Sequence, residues 1–207
     1  MRWLKKKNLP IKKMKKTPLI YNIKISLEGV KPLIWRTLLI QSDLFLHDFH
    51  KILQTTMGWE NSHLHEFLKN GKSFGIADDS IEGGDQFIDY TSVRVVDILR
   101  SEGDSFQYIY DFGDHWIHTI TLEKIIPNND DYYYPVCIEG ERNCPPENCG
   151  GVAGYMDLIG IIIHPGHPQR EKILDWLGED YDPDYFDQEE VNDFLMEDDF
   201  GCLPYFD

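Results

Sequence analysis

The stretch Leu19-Ile-Tyr-Asn-Ile-Lys-Ile-Ser-Leu-Glu-Gly-Val-Lys-Pro-Leu-Ile-Trp-Arg-Thr-Leu-Leu-Ile-Gln41 carries the first half of the fold. Tyr21, Ile23, Ile25 and Leu27 alternate with Asn22, Lys24 and Ser26, which is the period of a half-buried strand. Gly29 to Pro32 turns the chain, and Leu33 to Gln41 is apolar enough to lie centrally in a sheet. The two segments are expected to pair as an antiparallel hairpin. Two more hairpins are expected downstream. In one, Asn70-Gly71 joins the run His63 to Phe67 to the strand Ser73 to Ile76, the strongest short turn signal. In the other, Phe106 to Asp111 and His115 to Ile126 alternate around Phe112-Gly113-Asp114.

Helical spacing appears between and after these strands. Leu46, Phe49, Ile52, Leu53 and Met57 form one apolar stripe, with Ser42 or Asp43 as cap and Gly58 as the stop. On that helix His47 and His50, three residues apart, share a face. A shorter helix is expected from Val93 to Arg100, capped by Ser92, and Ala77 to Gln86 reads as an acidic loop. Asn128 to Gly151 is rich in Pro, Gly, Asn and Cys and shows no period for a regular element. Helical patterns resume at Tyr155 to Ile163, Gln169 to Leu177 and Gln188 to Met196. Strands first and helices last favour an α+β class over alternating βαβ units. The expected architecture is an antiparallel sheet built from hairpins, packed against helices, with a helical C-terminal part. Residues 1–16 read as a basic, flexible leader, 17–200 as one domain and 201–207 as a tail.

Charge narrows the function classes. The 207 residues hold 20 Lys and Arg against 36 Asp and Glu, a net −16, and eight of the basic groups lie in the leader. The body therefore carries −24, and its last basic residue is Lys172. A surface that acidic repels a phosphate backbone, so direct nucleic-acid binding by the folded part is disfavoured. No segment approaches the roughly 20 apolar residues of a membrane span. Without a signal peptide, a cytoplasmic location and reduced thiols are expected for Cys137, Cys144, Cys149 and Cys202. The C-x6-C-x4-C spacing of the first three does not match a zinc knuckle.

The segment Tyr108-Ile-Tyr-Asp-Phe-Gly-Asp-His-Trp-Ile-His118 concentrates ionisable groups. Asp111 and Asp114 flank a glycine turn, a placement that turn chemistry alone explains. His118 follows on the return strand, on the face of Trp116 and Ile120, where a buried imidazole is the default. His63 and His65 alternate on an expected strand and so project from one face, as the imidazoles of many metal sites do. His63, His65, Asp111, Asp114 and His118 are therefore the candidate ligands of a divalent ion such as zinc, with Glu147 as an acid. No nucleophile elbow, phosphate loop, H-E-x-x-H helix or dinucleotide fingerprint is present.

Several separated motifs together resemble one family. They are Ile34-Trp35-Arg36, Met57-Gly58-Trp59 with His63-Leu-His-Glu-Phe67, Tyr110 to His118, Cys144-Pro-Pro-Glu-Asn-Cys-Gly-Gly151 with Gly154-Tyr155, and Asp182-Pro183 to Leu195. In that order they resemble the plasmid pRiA4b ORF-3-like family over about residues 18–197. The resemblance implies a mixed α+β fold and kinship with plasmid-encoded proteins and with insertion-element passengers labelled TnpR-like. It implies no resolvase activity, because no serine-recombinase motif or basic DNA-binding module is present. The family's usual acidic Pro-Pro-Glu-Asp element reads Pro-Pro-Glu-Asn here, with Asn148 in the last position.

Two readings follow. One is a non-enzymatic binding or accessory protein for a small ligand or protein partner, its pocket lined by Trp35, Trp59, Tyr110, Trp116, Glu147 and the histidines. The other is a metal-dependent hydrolase, in which a bound ion lowers the pKa of water and supplies the missing nucleophile.

Overall fold

The computed structural model describes residues 17–76, 87–128, 133–178 and 181–205. The basic leader, the acidic loop 77–86 and the last two residues lie outside them. The opening hairpin is β1 (Ile20–Leu27) and β2 (Trp35–Gln41), antiparallel with Ile20 opposite Gln41 and Ser26 opposite Trp35. α1 (Leu46–Met57) follows, then β3 (His65–Lys69), β4 (Lys72–Gly75), β5 (Ile88–Asp89), α2 (Val95–Ile98), β6 (Ser105–Tyr110) and β7 (Trp116–Ile126). The chain ends with β8 (Val136–Glu141), α3 (Gly151–Ile162), α4 (Arg170–Leu177) and α5 (Gln188–Leu195).

All eight strands form one sheet in the order β5-β4-β3-β6-β7-β1-β2-β8. Its pairings are antiparallel except for β4 with β5, which run parallel. The α+β class stands, with a mixed sheet. Apolar residues that alternate along β1 become the buried Tyr21, Ile23, Ile25 and Leu27. Across from them, α1 sets Phe49 against Phe67 and Phe106, with ring centroids 6.3 Å apart in both pairs. Aromatic pairs at this separation add to the burial energy of the rings themselves.

Four local expectations need correction. α1 begins at Leu46, and neither Ser42 nor Asp43 caps it. Its first N–H groups find backbone partners: Leu46 N donates to the carbonyl of Val93 at 2.9 Å, while Val95 N returns a bond to Leu44 at 2.9 Å. The same exchange shortens α2, whose cap is Arg94 and not Ser92, with Arg94 N bound to the Asp97 carboxylate at 3.0 Å. The segment after Pro127 holds a strand after all. β8 pairs along the edge of β2, and only Cys137 of its six residues is fully buried, so no alternation betrays it. α3 also begins at Gly151, four residues earlier than expected.

Asn70 (φ 52°) and Gly71 (φ 73°) both occupy the left-handed region between β3 and β4, as a tight two-residue hairpin of this hand requires. The space around Gly71 is open. Gly71→Ala is therefore expected to lower stability by about 1 kcal/mol through backbone strain alone, read as a shift in the urea midpoint with an unchanged slope.

Candidate functional site

A cavity of about 590 Å³ opens beside α1 and β3. Its wall includes His47 and His50 of α1, His63 and His65 around the start of β3, Tyr90, and the C-terminal segment from Asp198 to Tyr205. The i, i+3 spacing on α1 brings His47 and His50 to this surface. His50 and His65 stack almost face to face, with centroids 3.4 Å apart and planes 6° apart. The C-terminal segment is held over α1 by Lys51 to Asp199 at 2.5 Å, Thr55 Oγ1 to the Phe200 carbonyl at 2.8 Å, and Asn61 Nδ2 to the Leu203 carbonyl at 3.0 Å.

Two backbone groups determine the proton positions of the buried network behind this wall. The N–H of Asn61 can only donate, and it donates to Gln54 Oε1 at 3.0 Å. Gln54 Nε2 must therefore donate to Tyr108 Oη at 2.9 Å, and Tyr108 O–H to His50 Nδ1 at 2.8 Å. The carbonyl of Leu203 can only accept, so Asn61 presents Oδ1 to His50 Nε2–H at 2.9 Å. His50 is a neutral imidazole protonated on Nε2. Burial drives its pKa down to about 4 and that of His65 well below the usual imidazole value, the neighbouring ring adding to the shift of His65. The second nitrogen pair is His65 Nε2 with Tyr90 Oη at 2.9 Å. Burial also pushes Tyr90 up to about 12, so it remains a phenol.

A second polar group lies behind His63. Tyr110 O–H donates to Glu147 Oε1 at 2.9 Å, and the N–H of Glu60 donates to the same oxygen at 3.1 Å. The N–H of Ser62 donates to Tyr110 Oη at 3.0 Å. Asp111 (φ 56°) accepts the N–H of Gly113 on Oδ1 at 2.8 Å, and its own N–H is pinned to the Leu64 carbonyl at 2.9 Å. His63 Nε2 then stands 3.6 Å from Asp111 Oδ2 and 3.7 Å from Glu147 Oε2. Desolvation raises the Glu147 pKa.

The expected five-residue metal grouping does not assemble. β3 begins at His65, so His63 precedes the regular strand and the two imidazoles diverge, one into the Asp111–Glu147 group and one onto His50. Asp114 Oδ2 accepts the N–H of Gly150 at 3.0 Å and serves the loop. His118 is fully buried, its Nδ1–H bound to the Tyr108 carbonyl at 3.2 Å, and burial drives its pKa down to about 4. Among the described residues no three or more His, Cys, Asp and Glu side chains are arranged, as they stand, to hold a metal ion. Burial also raises the thiols of Cys137 to about 11 and of Cys149 to about 12.

The expected aromatic pocket is likewise a packing feature. Trp59 stacks on Tyr110 at 4.7 Å, lies 6.2 Å from Trp116, and donates to the Pro145 carbonyl at 3.0 Å. Trp35 lies at the β2–β8 edge, donating to Glu141 and covered by Lys24. Of the ten residues singled out from sequence, only His63 and His65 line the main cavity. His47, His50, Asn61, Tyr90 and the C-terminal wall were not among them. The spacing of His47 and His50 was the one local signal for these.

No helix among the described residues is long and apolar enough to cross a membrane. The chain is 36% identical over 165 residues to the uncharacterised protein y4hQ of Sinorhizobium fredii, covering 79% of this chain and 84% of that protein. A crystal structure of the protein of unknown function MM3350 from Methanosarcina mazei superposes with a TM-score of 0.78 at 35% identity, covering 86% of this chain and 99% of the other. The family model described as plasmid pRiA4b ORF-3-like protein matches residues 19–190. With its hairpins, its turn carboxylates and its Cys144-to-Gly151 loop in the order that the motifs prescribe, this chain belongs to the plasmid pRiA4b ORF-3-like family.

Proposed function

We propose that the protein is a non-enzymatic binding protein that holds a small, uncharged, largely apolar molecule in the cavity between α1, β3 and the C-terminal segment. One observation carries the reading: a cavity of about 590 Å³ whose inner wall is the stacked, neutral His50–His65 pair. That volume is in the range of small-molecule sites, which are mostly apolar with a few placed polar groups. Neutral imidazoles need no counter-ion from the ligand, and both nitrogens of His50 and the Nε2 of His65 are satisfied within the protein. Lys51, the lysine in the wall, is committed to Asp199, so an anionic ligand finds no free lysine or arginine among the lining residues. One domain over residues 17–200 and a cytoplasmic location belong to the same proposal.

Cys202 lines this cavity, and burial pushes its thiol up to about 11. In a Cys149→Ser background, compounds that raise the melting temperature in a screen of neutral heterocycles are expected to slow modification of Cys202 by a disulfide reagent at least tenfold. Leu64→Trp, which fills the cavity mouth, is expected to abolish both effects. Stabilising compounds that leave Cys202 equally reactive and still bind the Leu64→Trp protein would disprove the assignment.

A further inference from the structure

The outer surface of α3 and α4 is apolar and, among the described residues, uncovered. Of the twelve residues of α3 only Asp157 is charged. Gly151, Tyr155, Leu158 and Ile162 form its buried stripe. The opposite side carries Ala153, Met156, Gly160 and Ile163, where a surface helix ordinarily carries polar groups. Met156 and Ile163, two turns apart on one line, are 36% and 61% exposed. A helix apolar on all sides is normally buried on all sides. α4 adds to the same surface. Ile173, Leu174, Trp176 and Leu177 make up half of it, yet none of its eight residues is buried, and Trp176 is 52% exposed. So short a helix owes its stability to packing more than to propensity, and this one buries nothing within the single chain. Arg170 Nε donates to the carbonyl of Ile162 at 2.9 Å and ties α4 to the end of α3, so the two helices present one unit.

Charge selects the occupant. Residues 151–178 hold Arg170 and Lys172 against Asp157, Glu171 and Asp175, a net −1. The other ten basic and 33 acidic groups of the body leave −23 elsewhere. Two copies of this chain therefore repel each other over the rest of their surface and can approach over this face. A basic partner would be drawn to the acidic faces instead, and an anionic membrane is repelled by them. An isologous interface sets one patch against itself, so the patch must carry both signs. This one does: Glu171, Lys172 and Asp175 are exposed and form no ion pair among the described residues. We propose that the protein is a homodimer paired through the outer face of α3 and α4, in which Met156, Ile163 and Trp176 are covered by the same face of a second copy. Aromatic residues and Met are enriched in such interfaces, with charged groups kept to the rim. No residue of α3 or α4 lines the cavity, so the pairing does not depend on the cavity ligand.

Sedimentation equilibrium of the full-length protein from about 1 to about 300 μM, a span that reaches the weak end of specific association, tests the pairing. The mass is expected to rise toward twice 24.3 kDa with concentration. Ile163→Glu and Trp176→Glu are each expected to raise the dissociation constant at least tenfold. Lys172→Glu, which takes the face from −1 to −3 in each copy, is expected to weaken pairing as well. Tyr133→Glu, at an 89% exposed ring outside this face, leaves it unchanged. Because Ile163 and Trp176 are exposed in the single chain, their variants are expected to keep the parent's urea midpoint at about 1 μM, where mass action disfavours the dimer, which separates lost pairing from lost folding. A mass of 24.3 kDa at every concentration, equal association of both variants and the parent, or flotation of the monomer with neutral phosphatidylcholine vesicles in place of pairing overturns the proposal.

Discussion

Acidification from pH 6.5 to 4 is expected to remove on the order of 6 kcal/mol of stability, from His50 and His118 alone. In the unfolded chain both imidazoles take up a proton near the ordinary value of about 6.5, whereas in the folded protein burial defers protonation to about 4. The unfolded state therefore binds more protons throughout that window, and stability falls with pH. It is complete above about 6.5 and lost progressively as the pH approaches 4, at about 3 kcal/mol for each group. His65 shifts in the same direction, and Glu147, with its raised pKa, opposes them. Domain stabilities are about 5–15 kcal/mol, so the protein should unfold in mild acid. Urea titrations at pH 7, 5.5 and 4.5 measure the slope. His118→Leu should flatten it, since the variant removes one of the two imidazoles whose protonation is deferred by burial. A pH-independent midpoint would refute the buried neutral state.

Gly154→Ala is expected to cost about 3 kcal/mol, the upper part of the range for overpacked sites. A Cβ at this position in α3 would lie 2.0 Å from the carbonyl oxygen of Cys149, a backbone atom that no rotamer change removes. At Gly151, likewise, a Cβ would lie 2.5 Å from the carbonyl oxygen of Asp114. The first approach packs the Cys144-to-Gly151 loop onto α3, and the second docks that loop, and with it Glu147, against the β6–β7 turn. A fall in melting temperature of about 6–12 °C should result for a chain of this size. Gly160→Ala on the same helix meets nothing within 4 Å and should instead stabilise slightly, by up to about 1 kcal/mol, through helix propensity. Equal behaviour of the two variants would remove the close-approach argument.

The histidines show how far local pattern reaches. Three-residue spacing on an apolar-striped helix suffices to bring His47 and His50 to one surface, whatever the rest of the chain does. The pairing of His63 with His65 fails because alternation holds only inside a regular strand, and hydrogen bonding to β6 begins at His65. Trp59 and Trp116 carry no local mark that separates a core ring from a pocket ring, since both need the same apolar surroundings. The Asp111 turn has a local origin in its bond to Gly113, yet its company with Glu147 depends on a loop 36 residues away in sequence.

What the sequence determined by itself is the class, the opening hairpin, the long α1 stripe and the family, because alternation, helical period and motif order are properties of neighbours along the chain. The tertiary structure alone decided that β8 closes one edge of the sheet, that residues 198–205 wall the cavity, and that His63, Asp111 and Glu147 meet. Those contacts arise from packing between segments tens to more than a hundred residues apart, where burial selects partners on which the local pattern is silent.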